Sequence, residues 1–290
     1  MVVLAIACAC GSSDTDTEAS RSPVADSSVG DATAESSVSA TTDAPSTTSA
    51  PPTTDAPPTT AIDEGALAWS TIDIVDTTRA TDEVRGPEGD VLLAASPTRT
   101  FPTEILYPGL DGGGEGAAVA TASADRPLVV WLNGLGGRAT PGDPLLLSLY
   151  EAGYIVAAPN VREIAAPVSS GGGHVHQPGD VSAVIDAHTA PDDGVFDDLA
   201  PIIDTDRIGA AGHSIGGSGA YGVAFHDCCR DDRISAAAVF APPRIDLEGG
   251  EFRFSGLPLL IVHGTADQII GLDQSEAVHA EADDALLVSV

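Results

Sequence analysis

The sequence predicts an α/β domain with a mostly parallel β-sheet that is covered by helices on both faces. From residue 67 onward, short apolar runs alternate with segments of helical periodicity. Most of these runs have no polar side chain at alternate positions, which is typical of strands buried on both faces. About 225 residues remain in this region, enough for one such domain. Ligands of such sheets bind at the carboxyl ends of the strands.

Each predicted strand is a short apolar run bounded by glycine, proline or aspartate. The second strand stops at Pro108, which has no amide hydrogen to donate. The predicted strands are Trp69–Val75, Phe101–Tyr107, Leu128–Leu132, Ile155–Ala158, Ile208–Ala211, Ala236–Phe240, Leu259–Val262 and Leu286–Val290.

The predicted helices fall between these strands, which gives the alternation expected of a parallel sheet. The second helix follows Asp180, a residue type that favours the N-cap position. The predicted helices are Pro144–Ala152, Val181–His188, Gly216–Phe225 and Ser275–Ala282.

The charge of the chain excludes one large class of partners. The sequence has 43 acidic and 12 basic residues, a formal net charge of −31, and every base is an arginine. Binding to nucleic acid depends on clustered basic residues that displace counterions, and no two arginines are adjacent here. We therefore expect no nucleic-acid partner. No apolar run approaches the roughly 20 residues that span a bilayer.

The first 66 residues differ from the rest. Residues 1–10, MVVLAIACAC, resemble the end of a bacterial lipoprotein signal, with Cys10 as the lipidated residue. Residues 11–66 form a predicted disordered linker: positions 11–60 contain 22 Ser or Thr, 6 Pro and 8 acids. Such a segment buries too little apolar surface to offset its ordering entropy. We expect a lipid-anchored or secreted protein at the bacterial cell surface, with the domain at residues 67–290.

The segment Gly212-His213-Ser214-Ile215-Gly216 matches the G-x-S-x-G nucleophile elbow. The match lies between a predicted strand and a predicted helix rich in small residues, which is the setting that the motif requires. Glycines are needed because the nucleophile has a strained backbone and its neighbours pack too closely for a Cβ atom. An incidental serine at the start of a glycine-rich helix is the alternative.

With this motif, residues 67–290 resemble an α/β-hydrolase. They are most similar to lidless secreted esterases, the group of dienelactone hydrolases, chlorophyllases, platelet-activating-factor acetylhydrolases and polyester hydrolases. The resemblance rests on the elbow and on three further segments: Asn133-Gly134-Leu135-Gly136-Gly137, Asp204-Thr205-Asp206-Arg207-Ile208 and His263-Gly264-Thr265-Ala266-Asp267.

The resemblance implies the role of each matching residue. Ser214 would be the nucleophile that forms an acyl-enzyme. The backbone amides of Ile215 and Leu135 would form the oxyanion hole, although Asn133 stands where these relatives usually have histidine. Asp267 would orient the catalytic histidine, and Asp246 is the second candidate for this role. An acid that only stabilises a turn is the other interpretation of Asp267.

The catalytic histidine is not found at its expected place. In this fold it lies in the loop after the last strand, and Leu286–Val290 is that strand. We expect the histidine beyond Val290 and the 290-residue chain to be inactive without it. An exposed surface position is the simpler interpretation of His279.

Two further patterns leave alternatives open. His174 and His176 could bind a metal, but no acid or cysteine stands beside them at a recognisable spacing, so we expect no metal site and no cofactor. The adjacent Cys228 and Cys229 allow a vicinal disulfide, two buried thiols or an intermolecular bond.

The sequence thus favours a serine carboxylic-ester hydrolase acting on exposed or bulky esters, whether short-chain esters, acetylated lipids or polyesters. The segment between Phe240 and Leu257 is too short for a large lid. The alternative is a non-catalytic binding protein of the cell surface that has the hydrolase core and lacks the histidine. A peptidase is a weaker third hypothesis.

Overall fold

A computed structural model of the chain describes residues 65–86, 88–121, 125–161, 172–190 and 198–290. The predicted lipidation site Cys10, the signal segment and the linker up to residue 64 lie outside the described residues. Within the described ranges, none of the helices combines the length and apolar character needed to cross a membrane.

The secondary structure alternates strands and helices along most of the chain. The strands are β1 (Ala66–Asp76), β2 (Val84–Arg85), β3 (Val91–Leu93), β4 (Arg99–Gly109), β5 (Gly114–Glu115), β6 (Arg126–Leu132), β7 (Ile155–Pro159), β8 (Ile203–His213), β9 (Ile234–Phe240), β10 (Leu259–His263) and β11 (Ala285–Ser289). The α-helices are α1 (Pro144–Glu151), α2 (Gln177–Thr189), α3 (Ile215–Phe225) and α4 (Leu272–Glu281). Short 3₁₀ helices cover Gly172–His176 and Ala200–Ile202.

Of the strands in the described residues, nine form one sheet in the order β11-β10-β9-β8-β6-β7-β4-β1-β5. In this order, neighbouring strands from β11 through β6 to β7 pair in parallel. Strand β4 pairs antiparallel with both β1 and β7. The predicted fold class, a mostly parallel sheet with helices packed against it, is confirmed. Strands β2, β3 and β5 are absent from the prediction because two or three residues give no readable periodicity.

Alternate residues of β6 explain why the sheet is covered on both faces. Leu128, Val130 and Leu132 belong to a large buried cluster that also contains apolar side chains of α2, α3 and α4. Val129 and Trp131 point the other way, into a cluster with Leu146 and Leu149 of α1. Since successive side chains of a strand alternate between faces, these are two cores on opposite sides of one sheet.

The prediction that Asp180 caps the second helix is wrong. Helix α2 begins at Gln177, and Asp180 lies in its first turn with no exposed surface. Its carboxylate accepts hydrogen bonds from Arg99, with Nε at 2.5 Å and a terminal nitrogen at 2.8 Å, and from Arg79 at 2.9 Å. These partners are about 80 to 100 positions away in sequence, so no local pattern could identify them. Asp180 joins α2 to β4.

Acid should weaken the contact between Asp231 and Arg233. Hydrogen bonds from Arg233 and Ser182 hold the pKa of Asp231 at about 2. A carboxyl group whose pKa is lowered by folding stabilises the fold above its unfolded pKa, and this contribution is lost as the pH falls from about 4 to about 2. We expect the wild type to be more stable than Asp231→Asn at pH 6 and to lose most of that advantage by pH 2.5, measured by urea unfolding. Asp232→Asn, with a 90% exposed side chain, is the matched control. An advantage unchanged by pH would contradict this prediction.

Candidate active site

Ser214 lies in the turn between β8 and α3, at the carboxyl edge of the sheet. Its backbone has φ 53° and ψ −127°, a region that non-glycine residues rarely adopt. The turn is held from both sides: the Ser214 amide donates to the Phe240 carbonyl at 2.8 Å, and the Ser214 carbonyl accepts from the Gly217 amide at 2.8 Å. The strained conformation is therefore fixed by β9 and by the first turn of α3.

The glycines around Ser214 are required by space. A Cβ atom on Gly216 would lie 2.6 Å from the Asn133 carbonyl oxygen and would also overlap the Leu132 carbonyl. A Cβ atom on Gly212 would overlap the Gly216 backbone. All these obstacles are backbone atoms that cannot rotate away. The elbow therefore packs directly against the end of β6 and the loop that follows it.

That loop, residues 133–137, forms a β-turn beside the serine. The Gly137 amide donates to the Gly134 carbonyl at 2.9 Å, and Gly136 has φ 75°, which favours glycine. A Cβ atom on Gly134 would lie 3.0 Å from the His213 Nδ1 atom and 3.1 Å from the Ser214 Cβ atom. The loop backbone and the elbow are therefore in close contact.

The side chain of Asn160, which sequence reasoning missed, fixes the position of this loop. Asn160 follows β7 and is only 4% exposed. Its Oδ1 atom accepts from the Ala139 amide at 2.8 Å and from the Asn133 side chain at 3.3 Å, and its Nδ2 atom donates to the Ala139 carbonyl at 3.1 Å. A polar residue directly after a fully apolar strand is the sequence signal that could have found it.

Ser214 opens into a cleft of about 570 Å³. One part of the lining is apolar, and Trp131 and Phe240 form a tilted aromatic pair with ring centroids 5.7 Å apart. The other part is the glycine loop together with polar side chains. The described lining residues are Trp131, Asn133, Gly134, Leu135, Gly136, Gly137, Arg138, Asp143, Leu145, His213, Ser214 and Phe240.

Two backbone amides near the cleft have no backbone acceptor among the described residues. Among the described residues, neither the Leu135 amide nor the Ile215 amide donates a backbone hydrogen bond. Ile215 is the first residue of α3, where amides have no acceptor within the helix. Leu135 lies in the β-turn and lines the cleft. Amide N–H groups without an acceptor, such as those at the start of a helix, can stabilise a negative charge that develops beside them.

The carboxylate of Asp267 lies in the loop after β10. Its Oδ1 atom accepts from the Ile269 amide at 2.8 Å and the Ile270 amide at 3.0 Å. These amides, helped by the positive charge that His263 and His213 can carry, lower the pKa of Asp267 below its ordinary value. The residue thus has the turn contacts that the alternative interpretation predicts. Its Oδ2 atom lies 3.7 Å from the His263 Nε2 atom.

Among the described residues, no hydrogen bond to the Ser214 hydroxyl is found. His213 lines the cleft, and partial removal of its ring from water lowers its pKa, an effect opposed by the charge of Asp267. His263 is buried, with its Nδ1 atom 2.6 Å from the Ser275 hydroxyl and its Nε2 atom donating to the Ile270 carbonyl at 2.9 Å. His279 is exposed on α4.

The remaining candidate residues lie outside the cleft. The His176 Nε2 atom is 3.2 Å from the Asp82 carboxylate, and Asp246 is exposed. Cys228 and Cys229 form a vicinal disulfide just beyond the carboxyl end of α3, near His226. These three residues bring possible metal ligands within 4.8 Å of one another, but sulfur atoms bonded to each other are not thiolate ligands.

Solved structures share this architecture. A ferulic acid esterase from Streptomyces cinnamoneus is 20% identical, with a TM-score of 0.57, over 78% of this chain and 73% of that protein. This likeness concerns the fold. The chain has the α/β-hydrolase fold. Esterase 2 of Thermogutta terrifontis, in its apo form, is 17% identical over 66% of this chain and 78% of its own, with a TM-score of 0.46.

Sequence comparisons add no family assignment to the α/β-hydrolase fold. No protein-family model matches the chain, and no match is found among curated proteins. The α/β-hydrolase assignment therefore rests on the topology and on the structural likeness.

Proposed function

We propose that the chain is a serine ester hydrolase that acts through an acyl-enzyme on Ser214. The observation that carries the proposal is the strained backbone of Ser214 at the edge of a cleft, beside a glycine loop with an unused amide. Ligands of parallel α/β sheets bind at the carboxyl edge of the strands, where Ser214 lies, which supports the proposal. The Streptomyces cinnamoneus protein with the same fold is a ferulic acid esterase, which supports ester hydrolysis as the reaction.

The proposed reaction has two halves. In acylation the Ser214 Oγ atom attacks the ester carbonyl carbon, its proton passes to a base, and the carbonyl electron pair becomes an oxyanion. Collapse of this intermediate breaks the bond to the alcohol, which leaves with the proton. In deacylation, water repeats the attack and releases the carboxylic acid and free Ser214.

Two backbone amides are proposed to stabilise the oxyanion. The Leu135 amide comes from the glycine loop and the Ile215 amide from the first turn of α3. Both lack a backbone acceptor among the described residues, and the turn contacts of Gly134 and Gly216 hold the two segments against each other. A donor fixed before the reaction requires no reorganisation as charge develops.

Asp267 is proposed to orient the base. The described end of β11 supports this role, because the Thr265 amide donates to the Val290 carbonyl at 2.7 Å. Thr265 is two positions from Asp267, so the end of β11 lies near the loop that carries Asp267. The carboxylate is anchored on Oδ1 by two amides, and its Oδ2 atom is the one proposed to accept from an imidazole.

The proposed substrates are exposed or bulky esters: short-chain esters, acetylated lipids or polyesters. The open cleft supports this class, because its apolar side, with Trp131 and Phe240, suits an acyl or aryl group next to Ser214. We propose that the protein meets them at the cell surface, tethered through Cys10 or secreted.

Fluorophosphonate labelling tests the proposal on the native full-length protein. We expect the probe to modify Ser214, identified by mass spectrometry, and 4-nitrophenyl butyrate to be hydrolysed. In Ser214→Ala labelling disappears, and turnover falls by roughly 1,000-fold or more, because the covalent step is lost. Ser218→Ala on the same helix is the control. Its hydroxyl donates to the Pro243 carbonyl and does not line the cleft.

A non-catalytic binding protein is the second candidate. It is favoured by the Ser214 hydroxyl, which has no hydrogen-bond partner among the described residues. Absence of both labelling and turnover in the native protein would support this candidate and refute the esterase. Equal turnover by wild type and Ser214→Ala would refute the proposed nucleophile.

A further inference from the structure

Most of the described arginines of this acidic chain are paired with neighbouring carboxylates. Ten of the 12 basic residues lie in the described ranges, and eight of these ten have a carboxylate oxygen within 4.0 Å. The eight are Arg79, Arg85, Arg99, Arg207, Arg230, Arg233, Arg244 and Arg253. Arg126 is buried, and its guanidinium lies over the Tyr150 ring at 5.9 Å from the centroid.

Arg138 is the exposed arginine among the described residues that has no carboxylate partner, and it lines the same cleft as Ser214. Its side chain is exposed, and no ion pair joins it to an acid of the described residues. With 43 acids available in the chain, an exposed guanidinium without such a partner is unusual. Arg138 directly follows the glycine loop, so its backbone is fixed by the same turn that presents the Leu135 amide.

The rest of the described lining leaves the charge of Arg138 largely uncompensated. Asp143 is the one acid among the described lining residues, and its Oδ1 atom accepts from the Leu145 amide at 3.0 Å as the N-cap of α1. The remaining surface is apolar or neutral, with Trp131, Leu135 and Phe240 on the walls. The cleft therefore combines an apolar wall with one cation that can pair with a substrate.

We propose that Arg138 selects esters whose acyl group carries a carboxylate, such as monoesters of dicarboxylic acids. This proposal rests on the proposed function of Ser214 and names its substrate class. The planar guanidinium matches the geometry of a carboxylate and can donate two parallel hydrogen bonds. A dianionic phosphate fits less well, because Asp143 lies in the same cleft. The apolar wall takes the hydrocarbon part between ester and carboxylate.

A matched pair of substrates measures this selectivity in the native full-length protein. Mono-4-nitrophenyl adipate and 4-nitrophenyl hexanoate have acyl chains of equal length and differ in the terminal carboxylate. We expect Arg138→Gln to lower the ratio of kcat/KM for adipate over hexanoate by roughly 10- to 100-fold, mostly through the KM for adipate. Added salt should reduce the preference of the wild type, because it screens exposed charges.

Arg207→Gln is the matched control. Arg207 is exposed, lies on β8 upstream of the apolar run and is not part of the cleft lining, so its removal should leave the ratio as in the wild type. Arg138→Lys should keep part of the preference, because it retains the charge and loses the planar fork. The proposal would be overturned if Arg138→Gln changed kcat/KM equally for both esters. It would also be overturned if Arg207→Gln changed the adipate-to-hexanoate ratio as much as Arg138→Gln.

A binding measurement separates this proposal from the proposed function. Calorimetry with monomethyl adipate on Ser214→Ala, with and without Arg138→Gln, needs no catalysis. We expect Ser214→Ala to bind monomethyl adipate and the double variant with Arg138→Gln not to bind it. Equal binding by these two proteins would overturn the role of Arg138. Absence of Ser214 labelling with intact, Arg138-dependent binding would refute the esterase and leave the anion site standing.

Discussion

Gly216→Ala is expected to destabilise the protein by about 3 kcal/mol or more, the upper range for an overpacked position. The new Cβ atom would meet the carbonyl oxygens of Leu132 and Asn133, the latter at 2.6 Å. Both belong to the end of β6 and the start of the glycine loop, so the strain can be relieved only by moving backbone. We expect lower urea resistance together with loss of Ser214 labelling, since the same movement separates the proposed oxyanion donors.

Gly209→Ala is the matched control, because Gly209 also lies on β8 and the nearest atom to its added Cβ is 3.7 Å away. That distance is an ordinary van der Waals contact. The control should stay within about 1 kcal/mol of the wild type and keep its labelling. If both variants unfolded at the same urea concentration, the packing argument for Gly216 would be wrong.

Asp180→Ala is expected to lower the free energy of unfolding by about 3 to 5 kcal/mol, the range for removing one partner of a buried ion pair. The charge of Arg99, which is 1% exposed, would lose the carboxylate that accepts two of its hydrogen bonds, and Arg79 would lose one. Water cannot readily replace the carboxylate, because the aspartate has no exposed surface. Thermal and urea unfolding measure the loss.

The pair between Arg85 and Glu83 supplies the control for Asp180. Both side chains are exposed, 56% and 40% respectively, so Glu83→Ala should change stability by about 0.5 kcal/mol or less. Replacing Arg99 by Met in the Asp180→Ala protein should restore part of the lost stability, since it removes a buried charge that no longer has the Asp180 carboxylate beside it. If Asp180→Ala lowered the free energy of unfolding by less than about 1 kcal/mol, the contacts of Asp180 with Arg99 and Arg79 would contribute little to stability.

The turn at Ser214 could be predicted because its requirements are local. The strained serine, the flanking glycines and the strand before them are consecutive in sequence, and the structure places them as the motif predicts. The roles of Ser214, Leu135, Ile215 and Asp267 stay predictions. For Asp267 the structure adds contacts with the Ile269 and Ile270 amides, which fit a turn acid as well as an orienting carboxylate.

The contacts of Asn160 and the isolation of Arg138 from acids of the described residues could not be derived from the sequence. Asn160 holds the glycine loop across 21 positions of the chain, through bonds to Ala139 that depend on β6 and β7 being neighbours in the sheet. Arg138 stands out only when the partners of the other described arginines are known. The vicinal disulfide at Cys228 and Cys229 was one of three alternatives that the spacing allowed.

The sequence by itself determined the fold class, the order of the α-helices and of the longer strands, and the position of the serine turn. Apolar periodicity and glycine placement act over a few residues, and they remain readable without the folded chain. Only the tertiary structure decided that Asp180 is the buried partner of Arg99 and Arg79, and that Arg138 shares a cleft with Ser214. Charge pairing and cleft lining depend on distances between remote segments, and the packing of the sheet and its helices sets those distances.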